Sequence, residues 1–225
     1  MAEAPTASAE RALEFVKDGD TLGLGTGRAA EAFVRALGER VAGGLAVRGV
    51  PTSESTATLA QSLGIPLLTL EQAGTLDCTF DGADEVSPQL DLIKGYGAAL
   101  VREKIVAASS LRLVILVGEE KLVDVLGARG RLPVEVIPFG VALAKRRLEA
   151  LGCPGELRTG DAGPVVTDNG NHILDARVSK IEDPQALDAA LLGIPGVVGT
   201  GIFAGMAEAV VVQTATGVRV LERQA

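Results

Sequence analysis

The amino-acid sequence predicts an α/β fold: a Rossmann-like open parallel sheet with helices on both faces, plus a small inserted ferredoxin-like α+β domain. Three observations carry this. Strand-like apolar runs alternate with amphipathic helices up to about residue 130, the spacing of β-α-β units. Between residues 131 and 204 the order becomes β-α-β-β-α-β. Two final apolar runs then return as a hairpin, which assigns 1–130 and 205–225 to the main domain and 131–204 to the small one.

Residues 8–17 read as a short helix with Ala9, Ala12, Leu13 and Val16 on one face. Residues 21–27 form a buried-strand pattern running into a glycine turn. An amphipathic helix follows over 29–41, through Ala29, Ala32, Phe33, Ala36, Leu37 and Val41. A strand at 46–50 leads to Thr52 and Ser53, both good N-caps, and to a helix carrying Leu59, Ala60 and Leu63 that stops at Gly64. Strands are expected at 66–70 and 76–81, a helix at 98–109 and a very apolar strand at 113–117. In the small domain, strands are expected at 134–139, 156–158 and across 165–178 about a turn at Asn169-Gly170. Helices are expected at 141–151 and from Asp183-Pro184 onward, where Asp caps and Pro suits the first turn. Residues 197–203 close the small domain, and 209–214 with 218–221 form the returning hairpin.

Composition excludes several function classes. The chain is 47% hydrophobic but only 3% aromatic, an aliphatic bias that suits sheets packed on alanine-rich helices and not a base-stacking platform. A net charge of −8 without a basic stripe argues against nucleic acid and anionic membrane as partners. Phosphate is still admissible, because it is bound by local backbone N–H groups and one or two cations. Cys78 and Cys153 make no CxxC and read as two buried thiols of a reducing compartment. The N-terminus shows no leader pattern and no apolar segment reaches spanning length, so a cytoplasmic location is expected.

Three segments can carry chemistry. Gly23-Leu-Gly-Thr-Gly27 lies at a strand-to-helix junction, where glycines let backbone N–H groups approach an anion. It is not GxGxxG and no ribose-binding acid follows at the expected distance, so a dinucleotide is disfavoured; a tight turn without ligand is the other reading. Asp81-Gly-Ala-Asp84-Glu85 follows a strand, at the edge where open parallel sheets bind ligands. Its carboxylates suit hydroxyl binding and proton shuttling; an Asx turn, a solvated acidic loop and a magnesium site are the alternatives. Lys94-Gly-Tyr-Gly97 runs into a helix bearing Arg102-Glu103-Lys104. There Glu103 neighbours Ala99 and Ala107, surroundings that desolvate a carboxylate and make it a better base, unless it is simply a surface residue of the helix. His172, the single histidine, reads as a surface strand residue, and with two separated cysteines it makes no His/Cys metal cluster.

Together these motifs resemble ribose-5-phosphate isomerase of the A type. The resemblance rests on Gly23–Gly27, Pro51-Thr-Ser-Glu-Ser-Thr56, Asp81–Glu85, Lys94-Gly-Tyr-Gly-Ala-Ala-Leu100 and Arg102-Glu-Lys104. It continues through Lys121, Pro133-Val-Glu-Val-Ile-Pro138, Val166-Thr-Asp-Asn-Gly-Asn171 and Ile194-Pro-Gly-Val-Val198, in family order over nearly the whole chain. It implies interconversion of ribose 5-phosphate and ribulose 5-phosphate with no metal or organic cofactor. Residue by residue, it implies Glu103 as the base between C1 and C2, Asp81 and Asp84 as the acids that handle sugar hydroxyls, and Lys94 as the cation facing the enediolate. Substrate binding is implied for Thr26, Gly27, Arg28 and Ala29, for Gly82 and Ala83 with the two aspartates, for Gly95, Tyr96 and Gly97 with Lys94, and for Lys121. The implied partner is a small sugar phosphate, and symmetric association as a homodimer or homotetramer is expected.

Two departures stand out. Arg28-Ala29 replaces the usual Ser-Thr pair after the glycine turn, and no lysine precedes Lys17 where the family often has one. A planar guanidinium at Arg28 is suited to replace both lost contacts. Tyr96 stands where glycine is common, either narrowing the pocket or facing away. The competing readings are a non-catalytic sugar-phosphate sensor, for which the chain has no spare DNA-binding segment, and an acyl-CoA transferase or amino-sugar phosphate deaminase of the same fold class.

Overall fold

A computed structural model describes residues 7–223 of the 225. The reading of the N-terminus as lacking a leader falls partly on residues outside that range. By its internal contacts the chain divides into two compact units. One comprises residues up to Ala83, Arg102–Lys121 and residues from Met206 onward; the other comprises Asp84–Val101 and Leu122–Gly205. The second unit thus includes 84–101 and 122–130, stretches that the order of elements alone assigns to the main domain.

The first unit is built on a six-stranded sheet in the order Gly217–Glu222, Ala209–Thr214, Leu113–Gly118, Cys78–Gly82, Thr21–Leu24, Arg48–Pro51. All neighbours are parallel except the terminal hairpin, Ala209–Thr214 with Gly217–Glu222. The helix Arg28–Ala42 turns Phe33, Val34, Ala36 and Leu37 inward against Leu22, Leu24, Phe80, Val114 and Leu116. Phe33 stacks on Phe80 with ring centroids 4.1 Å apart, an aromatic pair that contributes about 1 kcal/mol beyond its buried area. On the opposite face Val106, from the helix Leu100–Ala108, packs with Val50 and Leu76. Gly23 makes that approach possible, because a Cβ there would sit 2.7 Å from Val106 Cγ1. The two covered faces are those the alternating pattern predicts.

Ser53 caps the helix Glu54–Ser62 by accepting from the Thr56 N–H at 3.1 Å, worth about 1 kcal/mol. The expected strand at 66–70 is reduced to a single parallel bridge between Gly49 and Leu67, because Thr69 and Gln72 close a capping box that starts the short helix Leu70–Ala73.

The second unit holds an antiparallel sheet in the order Val197–Thr200, Arg131–Val136, His172–Arg177, Gly155–Leu157. With the helices Val141–Ala150 and Pro184–Leu192 this is β-α-β-β-α-β, the ferredoxin-like arrangement. Leu132, Val134, Val136, Leu148, Leu174 and Leu191 form its core. The first strand ends at Val136, earlier than residue 139, because Pro138 begins a 3-10 turn. A second, three-stranded sheet joins Glu85–Val86, Leu92–Ile93 and Ile202–Phe203, strands too short for periodicity to announce.

Cys78 and Cys153 are buried free thiols. Burial pushes Cys78 up to about 12, which keeps it protonated and unreactive at neutral pH. No helix among the described residues is long and apolar enough to cross a membrane.

Candidate active site

In the first unit, the parallel strands deliver several predicted residues to one edge of the sheet. Leu24, Pro51 and Phe80 lie level in the register, and each strand ends within two residues of that level. The Gly25 N–H donates to the Phe80 carbonyl at 2.9 Å, setting the glycine turn directly beside Asp81. The Asp81 side chain, 1% exposed, accepts at Oδ1 from the backbone N–H groups of Gly82 (2.7 Å) and Thr26 (3.2 Å). A Cβ on Gly25 would fall 2.6 Å from the Asp81 Cα and closer still to its carboxylate. Glycine is therefore dictated by the approach of Asp81. With the role the resemblance implies for Asp81, Gly25→Ala is expected to lower kcat/KM about 100-fold, since displacing a reacting group by about 1 Å costs that much; steady-state kinetics against a melting curve separate this from unfolding.

Gly27, at φ +98°, then turns the chain into Arg28–Ala42. This helix has no side-chain cap, so its first N–H groups point outward at the positive end of a 15-residue helix dipole. Ala29 lies close to the 81–82 segment: a Cβ built on Gly82 would be 4.0 Å from the Ala29 Cβ. Arg28 is exposed at the first helical position. Lys121, half-buried, ends the 3-10 turn Glu119–Lys121 that follows the strand Leu113–Gly118 at the same edge. Glu103 lies in the first turn of the helix Leu100–Ala108 and is 4% exposed. Helices between parallel strands run back against them, so a first turn belongs to the carboxyl edge of the sheet.

The sequence reading missed a hydroxyl cluster here. The Thr26 hydroxyl lies 2.7 Å from Thr52 Oγ1, 2.8 Å from Ser53 Oγ and 3.2 Å from Thr56 Oγ1, while Thr56 donates to the Gly25 carbonyl at 2.9 Å. These bonds fix the turn from behind. The signal is the Thr-Ser-x-x-Thr run at a strand end, which capping and the family resemblance account for without revealing the cluster.

The second unit holds Asp84, Lys94, Gly95, Tyr96 and Gly97. Asp84 donates its N–H to the Ile93 carbonyl (2.8 Å) and accepts at Oδ2 from the Tyr96 N–H (3.0 Å), so Asp84 and the 94–97 segment are tied together. Lys94 is 3% exposed; its N–H donates to the Gly201 carbonyl at 2.8 Å and its Nζ lies 5.5 Å from the Phe203 ring centroid. Gly95, at φ +104°, has no room for a side chain, since a Cβ would meet Leu100 Cδ2 at 2.7 Å. Tyr96 packs its ring under Arg131, 3.9 Å from the guanidinium carbon, and burial raises its phenol above the usual value, with the Asp84 charge adding to it.

Two further buried acids are structural. Glu85 accepts from the N–H groups of Gly127 (2.6 Å) and Arg129 (2.7 Å). Glu135 Oε1 accepts from Thr167, Asn169 and Asn171 at 2.9–3.0 Å, which accounts for the Val166–Asn171 motif as a lock on the small sheet. His172 is half-buried in its strand, Nδ1 3.1 Å from the Val165 carbonyl oxygen. Among the described residues no three His, Cys, Asp or Glu side chains gather as a metal ion would require.

Comparison with known proteins agrees with this fold. The family model described as ribose 5-phosphate isomerase A (phosphoriboisomerase A) matches residues 48–217. The chain is 52% identical over 218 residues to ribose-5-phosphate isomerase A of Roseiflexus castenholzii, covering 96% of this chain and 93% of that one. A solved D-ribose-5-phosphate isomerase in complex with phospho-erythronic acid superposes with a TM-score of 0.94 at 43% identity, covering 96% of both chains. The ribose 5-phosphate isomerase A of Methanocaldococcus jannaschii gives 0.92 at 44% identity, again over 96% of both. Its motifs, its fold and these likenesses agree: the chain belongs to the ribose 5-phosphate isomerase A family.

Proposed function

We infer that the chain is an isomerase interconverting ribose 5-phosphate and ribulose 5-phosphate through an enediolate, a reaction of the pentose phosphate pathway. Near-full-length likeness to isomerases of this name carries the reading. It leaves the sensor, transferase and deaminase alternatives without support.

The residue roles are those the family resemblance implies, and the chemistry agrees with them. Glu103 takes the proton from C2 of the open-chain aldose, and the electron pair left behind forms the C1–C2 double bond and places negative charge on the C1 oxygen. Lys94 faces that charge. Returning the proton to C1, as the C2 hydroxyl gives up its own and O1 gains one, yields the ketose. Asp81 and Asp84 handle the hydroxyl protons, ring opening included. Hydrogen lost at C2 is regained at C1, so the reaction needs no redox cofactor. The Thr26–Ala29 turn binds the phosphate, supported by the uncapped helix start and the positive φ of Gly27. The resemblance also gives substrate contacts to Gly82, Ala83 and Lys121 of the first unit and to Gly95, Tyr96 and Gly97 of the second. Arg28 stands in for the missing Ser-Thr pair and N-terminal lysine, supported by its exposure beside that helix start.

Self-association as a homodimer or homotetramer is supported by the apolar Phe139, 98% exposed beside Ile137. A cytoplasmic location is supported by the free thiols.

The test is an assay with ribose 5-phosphate in EDTA, following ketose formation. Turnover is expected in full. Binding without turnover would leave a sensor, and no binding would mean another substrate. In the same assay Arg28→Ala is expected to raise KM about tenfold, the worth of a charged hydrogen bond, with kcat held. An unchanged KM would show that the phosphate is bound without Arg28.

A further inference from the structure

Arg158 follows the strand Gly155–Leu157, and its side chain is only 11% exposed. The guanidinium divides its donors between two tasks. Nη1 donates to the carbonyl oxygens of Gly95 (3.0 Å) and Tyr96 (3.1 Å). Nε donates to Asp175 Oδ2 at 3.0 Å and Nη2 to Asp175 Oδ1, a bidentate pair. Asp175 is placed by the sheet, between Pro133 and Glu156 in the register. It also attracts Arg131, whose Nε lies 3.6 Å from Oδ1. Arg131 in turn covers the Tyr96 ring, and its carbonyl accepts from the Tyr96 hydroxyl at 3.3 Å.

The result is a closed circuit around the segment next to Lys94. Arg158 holds its main chain, Arg131 holds its one large side chain, and Asp175 joins the two arginines. The segment calls for such a hold. Gly95 is at φ +104° and Ala98, which carries a side chain, is at φ +61°; such conformations persist where the surroundings over-determine them. Apart from the turn bond from Ala98 N–H to the Gly95 carbonyl, Arg158 is the donor to these two carbonyls among the described residues. A charged fork with a rigid plane fixes two carbonyls in a way that a single ammonium cannot.

We propose that Arg158, backed by Asp175 and Arg131, is a positioning residue for the isomerisation, fixing the Gly95-Tyr96 main chain so that Lys94 meets the developing enediolate charge. The proposal rests on the assignment of Lys94 to that charge. It also explains how this chain carries tyrosine at position 96: the ring completes the hold on Arg131.

The experiment compares kcat, KM and melting temperature for Arg158→Lys, Lys94→Met and the double variant. Arg158→Lys is expected to lower kcat about tenfold or more through misplacement, with KM little changed. In the Lys94→Met background the same substitution should change kcat by less than about twofold, because coupled residues are not additive. An unchanged kcat in Arg158→Lys, or the same loss in both backgrounds, overturns the proposal and leaves Arg158 a structural residue. Wild-type kcat in Lys94→Met alone would instead refute the assignment of Lys94. If Arg158→Lys fails to fold, Asp175→Asn, which keeps the side-chain volume and removes the charge behind Arg158, is read in both backgrounds by the same criteria.

Discussion

Glu103→Gln is expected to lower kcat about 10³- to 10⁴-fold, at the upper end of what a positioned general base contributes, while KM stays within about threefold. Gln has the shape of Glu and keeps hydrogen-bonding capacity, so it preserves the packing of a residue that is 4% exposed. What it lacks is an oxygen able to receive a proton. Glu103 lies in the first turn of its helix, three residues before the buried Val106, which anchors that helix against Val50 and Leu76. The carboxylate is therefore carried by an element whose position is fixed by the core. The measurement is steady-state turnover of ribose 5-phosphate together with exchange of the C2 hydrogen into solvent. Both should collapse together. Retained exchange with lost turnover would place the base elsewhere and give Glu103 a later step.

Much of this was legible in the sequence, and the boundary has physical causes. The central sheet could be read because its strands are buried on both faces and thus continuously apolar, as in Leu113–Val117. The ferredoxin-like order could be read because Asp183-Pro184 and Asn169-Gly170 punctuate it strongly, and the structure places a cap at Asp183. The 66–70 segment could not, because a local capping box overrode strand propensity once only one backbone pair was available. Where the boundary between the two units falls is equally invisible to element order. Residues 84–101 follow the strand Cys78–Gly82 in sequence, but their strand Leu92–Ile93 pairs with Ile202–Phe203 more than a hundred residues later.

At the level of the site, the placement of single residues could be read and their partners could not. Asp81 announced itself by following a strand, yet its dependence on Gly25 is a matter of through-space distance. Tyr96 was undecided between lining a pocket and turning away. Its contacts with Arg131 and the small-unit core are what the structure adds. Arg158 carries no local signal, since its function depends on carbonyls some sixty residues upstream.

Lys94→Met is expected to lower kcat about 10²- to 10³-fold, the range for removing one preorganised group that meets developing charge. Methionine retains most of the aliphatic stem and packs against an aromatic ring, so contact with Phe203 survives while the ammonium does not. A melting curve taken beside the kinetics separates loss of turnover from loss of fold, since the side chain is buried at 3% exposure. KM should change by less than about threefold, since the substrate's carbonyl carries full negative charge only after the proton has left C2. If KM rose as much as kcat fell, Lys94 would be a contact for the ground-state sugar or its phosphate, and the oxyanion role would pass to another group. If the melting temperature fell by ten degrees or so while kcat held, the ammonium would be a structural charge. The expected pattern, a fall in kcat with KM held, is that of a cation kept for charge that develops during the reaction.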